Sequence, residues 1–297
     1  RADRRALHSC GLVDDGILRF KDFRRNFTGI TGSIGAVRSI GENTNVRINI
    51  ARGFRAPNLS ELASNGEHEG TLRYERGSSS LRPEFSLQGD AGADFSSKYI
   101  SGQIALFANR ISDFIFIAGT GETEEVLPVF GYFQGDAALA GMEASVDFHP
   151  IHALHFGESF SMVRGKLDSG DNLPVIPAPR LVSECKWEIT HDGRHLNNSY
   201  LSVSLDYTFR QKFIYGAGET ETPTPQYYLL GAGAGTDLLR RGRKVATVCI
   251  MAENLLDKAW QSHLSRLKYA DVNHMTGKAG VFNMGRNFCI RISVPIQ

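Results

Sequence analysis

The side chains able to do chemistry in this chain sit in polar stretches and form no compact motif. Residues 55–75 carry Arg55, Asn58, Glu61, His68, Glu69, Arg73, Tyr74 and Glu75, and residues 257–283 carry Trp260, Gln261, His263, Arg266, Lys268, Tyr269 and His274. Guanidinium groups mixed with aromatic rings suit an anionic, aromatic chelate, because Arg presents a planar fork of donors and ring faces attract cations. His149, His152 and His155 form a third group, at a turn set by Pro150. Residues three apart in extended chain point to opposite faces, so these histidines are not expected to converge on one ion, and no metal site is expected. No nucleophile elbow or ordered Ser/His/Asp signature is present, so the chain does not read as an enzyme.

Composition excludes several classes. With 33 Lys+Arg against 32 Asp+Glu, the formal charge is +1, too little to make nucleic acid a default partner. Cys10, Cys185, Cys249 and Cys289 are scattered, with no CxxC or Cys/His ligand spacing. No apolar run reaches the roughly 18 residues of a membrane helix. The first residues, RADRRALHSC, contain no initiator Met and no signal-peptide core, so the chain is expected to be the downstream part of something longer.

The elements that position these residues read as strands. Leu201, Val203, Leu205, Tyr207 and Phe209 alternate with Ser202, Ser204, Asp206 and Thr208. Phe288, Ile290, Ile292, Val294 and Ile296 alternate in the same way with Asn287, Cys289, Arg291 and Ser293. The pattern predicts eleven strands, near 27–40, 44–54, 85–95, 100–117, 131–148, 153–165, 178–190, 196–212, 225–239, 244–256 and 284–296. Short turns at Gly41-Glu42-Asn43, Ser96-Ser97-Lys98, His149-Pro150-Ile151, Asp192-Gly193 and Arg241-Gly242 alternate with long loops at 55–84, 118–130, 166–177, 213–224 and 257–283. All long loops then fall at one end of the sheet, the layout of an all-β, transmembrane, antiparallel up-and-down barrel. Aromatic residues gather towards strand ends (Phe95 and Tyr99, Tyr207 and Phe209, Tyr227 and Tyr228), as interfacial girdles require. The polar alternates Arg47, Asp94, Glu143, Asp147, Asp206 and Arg291 are expected to line a wet lumen.

Six ordered segments carry a resemblance. They are IARGFRAPNLSEL at 50–62, GDAALAGMEASVDFHP at 135–150, LPVIPAPRL at 173–181, TPQYYLLGAG at 224–233, AENLLDKAWQSHLSRLKY at 252–269 and VFNMGRNF at 281–288. Together they resemble the TonB-dependent outer-membrane receptors, specifically the C-terminal half of their barrel of about 22 strands. Residues 1–297 are therefore expected to supply 11 or 12 strands, with an N-terminal plug and the early strands lying elsewhere.

The resemblance implies an active-transport receptor of the cell outer membrane. It would bind an iron chelate of siderophore type at its extracellular loops and contact the TonB energising complex through the N-terminal region absent here. Its other partner would be outer-membrane lipid, with no cofactor beyond the transported chelate or haem. The candidate ligand contacts are Arg55, His68, Arg73, Tyr74, Trp260, His263, Arg266 and Tyr269. In haem receptors of the family, a His between a FRAP and an NPNL motif ligates iron; here His68 follows Phe54-Arg55-Ala56-Pro57, and the second motif is reduced to Ser79-Ser80-Leu81. Haem import through His68 and glycan import of the SusC-like kind are the alternatives within the class. A soluble secreted β-sandwich binding module is the alternative outside it. Barrels of this kind usually close on an aromatic residue, whereas this chain ends Val294-Pro295-Ile296-Gln297.

Overall fold

The computed structural model describes the backbone of every residue except 10, 11, 15, 16, 21, 191, 192, 296 and 297, and the side chains at 9, 12–14, 17–20, 69 and 190 are likewise outside the description. Cys10, the Asp192 turn position and the terminal Ile296 and Gln297 therefore lie outside the described residues. The chain runs β1 (Ala2–Ser9), β2 (Leu12–Asp14), β3 (Ile17–Phe20), β4 (Phe23–Ile30), β5 (Gly32–Ile40), β6 (Thr44–Arg55), α1 (Leu59–Ala63), β7 (Asn65–His68), β8 (Arg73–Arg76) and β9 (Glu84–Ser96). It continues with β10 (Ile100–Glu124), β11 (Leu127–Ile151), β12 (Leu154–Leu167), β13 (Arg180–Thr190), β14 (Leu196–Thr208), β15 (Tyr227–Arg240), β16 (Arg243–Glu253), β17 (Val272–Asn273), β18 (Lys278–Ala279) and β19 (Asn287–Ser293).

The strands from β5 onward form one antiparallel meander in the order β5-β6-β9-β10-β11-β12-β13-β14-β15-β16-β19. The sheet is open, with β5 and β19 at its edges among the described residues; β1 pairs separately with β4. Short connections tighten one end. At Arg241-Gly242 both residues have positive φ (52° and 74°), the two-residue hairpin turn whose twist matches that of the strands.

One face of the sheet is apolar and uncovered. Ile34 is 77% exposed and Ile290 67%, and Ile48, Ile50, Leu87, Ile104, Leu106, Leu201, Val203 and Ile250 are exposed with them. A β-sandwich would bury such a face against a second sheet. Among the described residues nothing covers it, and the buried apolar ones sit instead at the long-loop end.

That end is more ordered than expected. Residues 118–130, expected as a long loop, continue the β10–β11 hairpin to a two-residue tip at Glu125-Val126, with register shifts after Ile111 and Gly119. Gly119, Gly121 and the acidic run have loop-like composition, but the pairing rests on main-chain bonds, and neighbouring loops cover both faces of the extension. On one face Ile115 and Tyr132 pack with Leu62, Leu81 and Phe54. On the opposite face Phe116 and Ala118 pack with Ala137, Leu173 and Ile176. The base of the extension thus forms a fin between two loop clusters, while its outer part from Thr120 to Val126 is largely exposed. Because β12 stops at Leu167 opposite Ala137, the free edge of β11 above it accepts β8 in parallel register, Val129 opposite Tyr74.

Candidate functional site: the loop-end cleft

The 55–84 segment is built outward from Arg55. This side chain closes β6 and reaches Glu84 at 2.5 Å and Glu61 at 2.8 Å. Glu61 also completes a capping box: Asn58 accepts from the Glu61 N–H, and Glu61 accepts from the Asn58 N–H, each at 2.8 Å. Glu84 further accepts the Ile115 N–H at 2.7 Å, tying the helix start to the fin. One guanidinium therefore satisfies two carboxylates that are each only 10% exposed. Arg55, expected as a ligand contact, directs its donors to these carboxylates while its side chain stays 42% exposed.

Beyond α1 the chain returns as the β7–β8 hairpin. Arg76 pairs with Glu122 and Glu124 at 2.6 Å, fastening the hairpin to the fin tip. Tyr74 is buried, its hydroxyl donating to Asn65 at 2.9 Å, so it acts in packing and does not reach the surface. His68 is exposed, with Nδ1 3.1 Å from the Thr71 hydroxyl. Arg73 lies against Glu75 at 2.6 Å with its guanidinium carbon 4.9 Å from the Phe130 ring centroid.

The 257–283 loop meets the same ring from another direction. The Arg266 guanidinium carbon lies 5.5 Å from the Phe130 centroid, and its Nη1 donates to the Thr220 carbonyl at 3.2 Å. Burial, with Arg73 close by, lowers the pKa of Arg266. Tyr269 accepts the Thr222 N–H at 3.1 Å. Trp260 stacks at 4.8 Å on Tyr227 and takes no part in the cleft.

The third contributor is the loop at 209–226. Gly119 and Gly218 touch backbone to backbone: a Cβ on Gly119 would stand 2.0 Å from the Gly218 carbonyl oxygen, and Gly218 adopts φ 58°. The Gly119 N–H donates to Thr220 Oγ1 at 2.9 Å across this contact. Glu221, buried, accepts the N–H groups of Val175 at 2.6 Å and Tyr215 at 3.1 Å and so joins two loops. His263 is buried beside it. Its Nδ1 is 2.8 Å from Thr224 Oγ1, while Nε2 is 3.7 Å from Glu221, beyond hydrogen-bond reach. Burial, then Lys268 and Arg266, hold its pKa down to about 4, so the ring is neutral. His263, expected to touch ligand, is an interior loop strut, because the 209–226 loop folds over it.

These parts enclose a cleft of about 630 Å³ between Thr71–Arg73, the fin tip, Gly218–Thr220 and Arg266–Asp271. Of the eight expected ligand residues, it brings together Arg73, Arg266 and Tyr269. Its lining begins at Thr71, so His68 stands outside it. Phe130, the ring shared by both arginines, was not singled out in the sequence: it sits in a stretch read as loop.

The structure places all six expected lumen residues on the polar face of the sheet. Arg47 pairs with Asp94 at 3.0 Å, and Asp206 with Arg180 at 2.6 Å. Glu143 lines a depression with Arg47 and Gln103, and Arg291 stands opposite Cys249. Asp147 meets two imidazoles: His149 at 2.8 Å and His155 at 3.3 Å. Two of the turn histidines therefore do converge, contrary to expectation. Distance along one strand was the wrong measure, since the turn beyond the Phe148–Phe156 pair brings the rings of His149 and His155 to 5.6 Å.

An uncovered apolar face, a polar face laced with ion pairs and loops packed at one end define part of a receptor-type membrane barrel. The chain belongs to the TonB dependent receptor-like β-barrel family, whose model matches residues 11–255. TonB-dependent receptors are outer-membrane β-barrels concerned with transport. No curated protein matches the chain.

Among solved structures, it is similar to the copper transporter OprC, with TM-score 0.79 at 14% identity over 98% of this chain and 44% of that one. It is also similar to the siderophore receptor PirA from Acinetobacter baumannii, with TM-score 0.62 at 16% identity over 91% of this chain and 42% of that one. A variant of the ferric enterobactin receptor PfeA from Pseudomonas aeruginosa gives TM-score 0.60 at 18% identity, over 91% and 41%. At these identities the likeness is one of fold. The chain spans less than half the length of each of these proteins.

Proposed function

We propose that this chain is the C-terminal barrel portion of an outer-membrane receptor that captures an anionic metal chelate, an iron chelate of siderophore type, for TonB-dependent uptake. The observation that carries the reading is the pair Arg73 and Arg266 over Phe130 in the loop-end cleft. Arg73 is paired with Glu75, whereas Arg266 holds only a main-chain carbonyl, so an anionic ligand entering the cleft gains the Arg266 charge while its rings meet the exposed ring of Tyr269. The uncovered apolar face would contact outer-membrane lipid, and the polar face would line the lumen. Contact with the TonB complex, and a plug filling the lumen, would come from the N-terminal region of the whole receptor.

Haem import through His68 has less support, because that imidazole stands outside the cleft and already faces Thr71. The test is binding of ferric siderophores and of haem to the detergent-solubilised full-length receptor. Saturable binding of an anionic ferric chelate, weakened by Arg266→Ala, supports the proposal. Binding of haem alone, abolished by His68→Ala, would overturn it.

A further inference from the structure

We propose that Asp147, His149 and His155 form a binding site for a divalent transition-metal cation on the polar face of the sheet, at its short-turn end. This site lies at the opposite end of the strands from the loop-end cleft and does not depend on the ligand proposed there.

The three side chains come together through hairpin geometry. Asp147 and His149 are two apart on β11, and just past the Phe148–Phe156 pair, where the β11–β12 register shifts, the rings of His149 and His155 lie side by side. The intervening Phe148 and its partner Phe156 point to the apolar face, where their rings stack at 6.4 Å. One ligand atom from each of Asp147, His149 and His155 lies within 4.8 Å of the others. Among the described residues this is the group of three metal-ligating side chains so arranged.

Both Nδ1 atoms address the same carboxylate oxygen, at 2.8 and 3.3 Å, and the imidazole rings lie stacked 5.6 Å apart. Zinc–nitrogen and zinc–oxygen bonds of about 2.0–2.2 Å put neighbouring donors of a tetrahedral ion roughly 3.3 Å apart. The donors now lie within 4.8 Å of one another, so binding would draw them together around the ion. On metal binding the Nδ1 protons move to Nε2, and the two ring nitrogens and the carboxylate oxygen turn to the ion. Two imidazoles with one carboxylate suit Zn²⁺ or Cu²⁺ and are poor for Mg²⁺ or Ca²⁺, which prefer oxygen. All three side chains are half-buried, leaving the remaining coordination positions open to the polar side. Such an ion would staple β11 to β12 where their register shifts between Phe148 and Ile151.

The test uses the full-length receptor in detergent, stripped with chelator and titrated with Zn²⁺ by calorimetry, with Cu²⁺ electron paramagnetic resonance in parallel. One equivalent of Zn²⁺ should bind, weakened at least tenfold by His149→Ala with His155→Ala and also by Asp147→Asn. The Cu²⁺ spectrum should show coupling to two nitrogens, lost in the double variant. Heat-dependent gel mobility and ferric-chelate binding report folding and should be unchanged. If the double variant fails to fold, His155→Gln, which preserves the hairpin, is read instead. No Zn²⁺ binding by the parent, or equal binding by folded variants, would overturn the proposal.

Discussion

Arg73 and Arg266 meet over one aromatic ring, their guanidinium carbons 4.9 and 5.5 Å from the centroid of Phe130. They arrive on different loops and differ in pairing: Arg73 holds Glu75 at 2.6 Å, whereas Arg266 donates to a main-chain carbonyl. Their effects on binding should therefore separate. Arg266→Ala should weaken an anionic chelate by roughly 10- to 100-fold, the equivalent of one charge-assisted hydrogen bond, with loop structure kept. Arg73→Ala should weaken binding similarly and also loosen the β7–β8 hairpin, because Glu75 loses its cation. Titration of ferric chelate, with limited proteolysis of the loops, distinguishes the two.

The contact between Gly119 and Gly218 leaves no space for a side chain. Gly119→Val should displace the 209–226 loop, break the bond to Thr220 Oγ1 and cut chelate binding at least tenfold. The barrel should keep its heat-dependent gel mobility, since the contact lies beyond the membrane-spanning part of the strands. Normal binding by this variant would show that the loop position does not matter.

Arg55 should behave as a structural residue. Arg55→Ala leaves Glu61 and Glu84 nearly buried without their shared cation. The loss should be about 2 kcal/mol of local stability, below the range for a fully buried pair because Arg55 itself is 42% exposed. Faster proteolysis within residues 56–83 is the expected readout. Glu84→Gln should produce a smaller effect, since the amide oxygen still accepts the Ile115 N–H.

His263 makes the loop cluster sensitive to acid. Its pKa falls from 6.5 unfolded to about 4 folded, so the folded state binds fewer protons. The stability this gives is fully present above 6.5 and is lost as pH falls from there through about 4. The loss amounts to about 3 kcal/mol and is complete only below the folded value. Amide exchange in residues 257–283 should accelerate between pH 6.5 and 4, and His263→Asn should flatten that dependence. An unchanged profile in the variant would assign the acid response to other groups.

The sequence by itself determined most strands of the meander, their faces and the end at which the loops gather, although residues 27–40, read as one strand, divide into β4, which pairs with β1, and β5. Alternation of period two is a local property, and in a barrel it reports lipid against lumen directly, as Leu201 to Phe209 illustrates. It also determined the residue types at the ligand-facing end, including Arg73, Arg266 and Tyr269.

Only the tertiary structure decided which of those residues share a cleft and which serve as struts. Arg55 and His263 have the same composition signal as Arg73 and Arg266, yet their partners, Glu84 and Thr224, lie in other segments that folding brings to them. The fin of β10 and β11 was hidden for the same reason: its pairing is held by main-chain bonds and by loops packed on both faces, which leave no alternation for lipid to impose. His149 and His155 were missed because closeness across a hairpin is set by register, which spacing along the chain does not reveal.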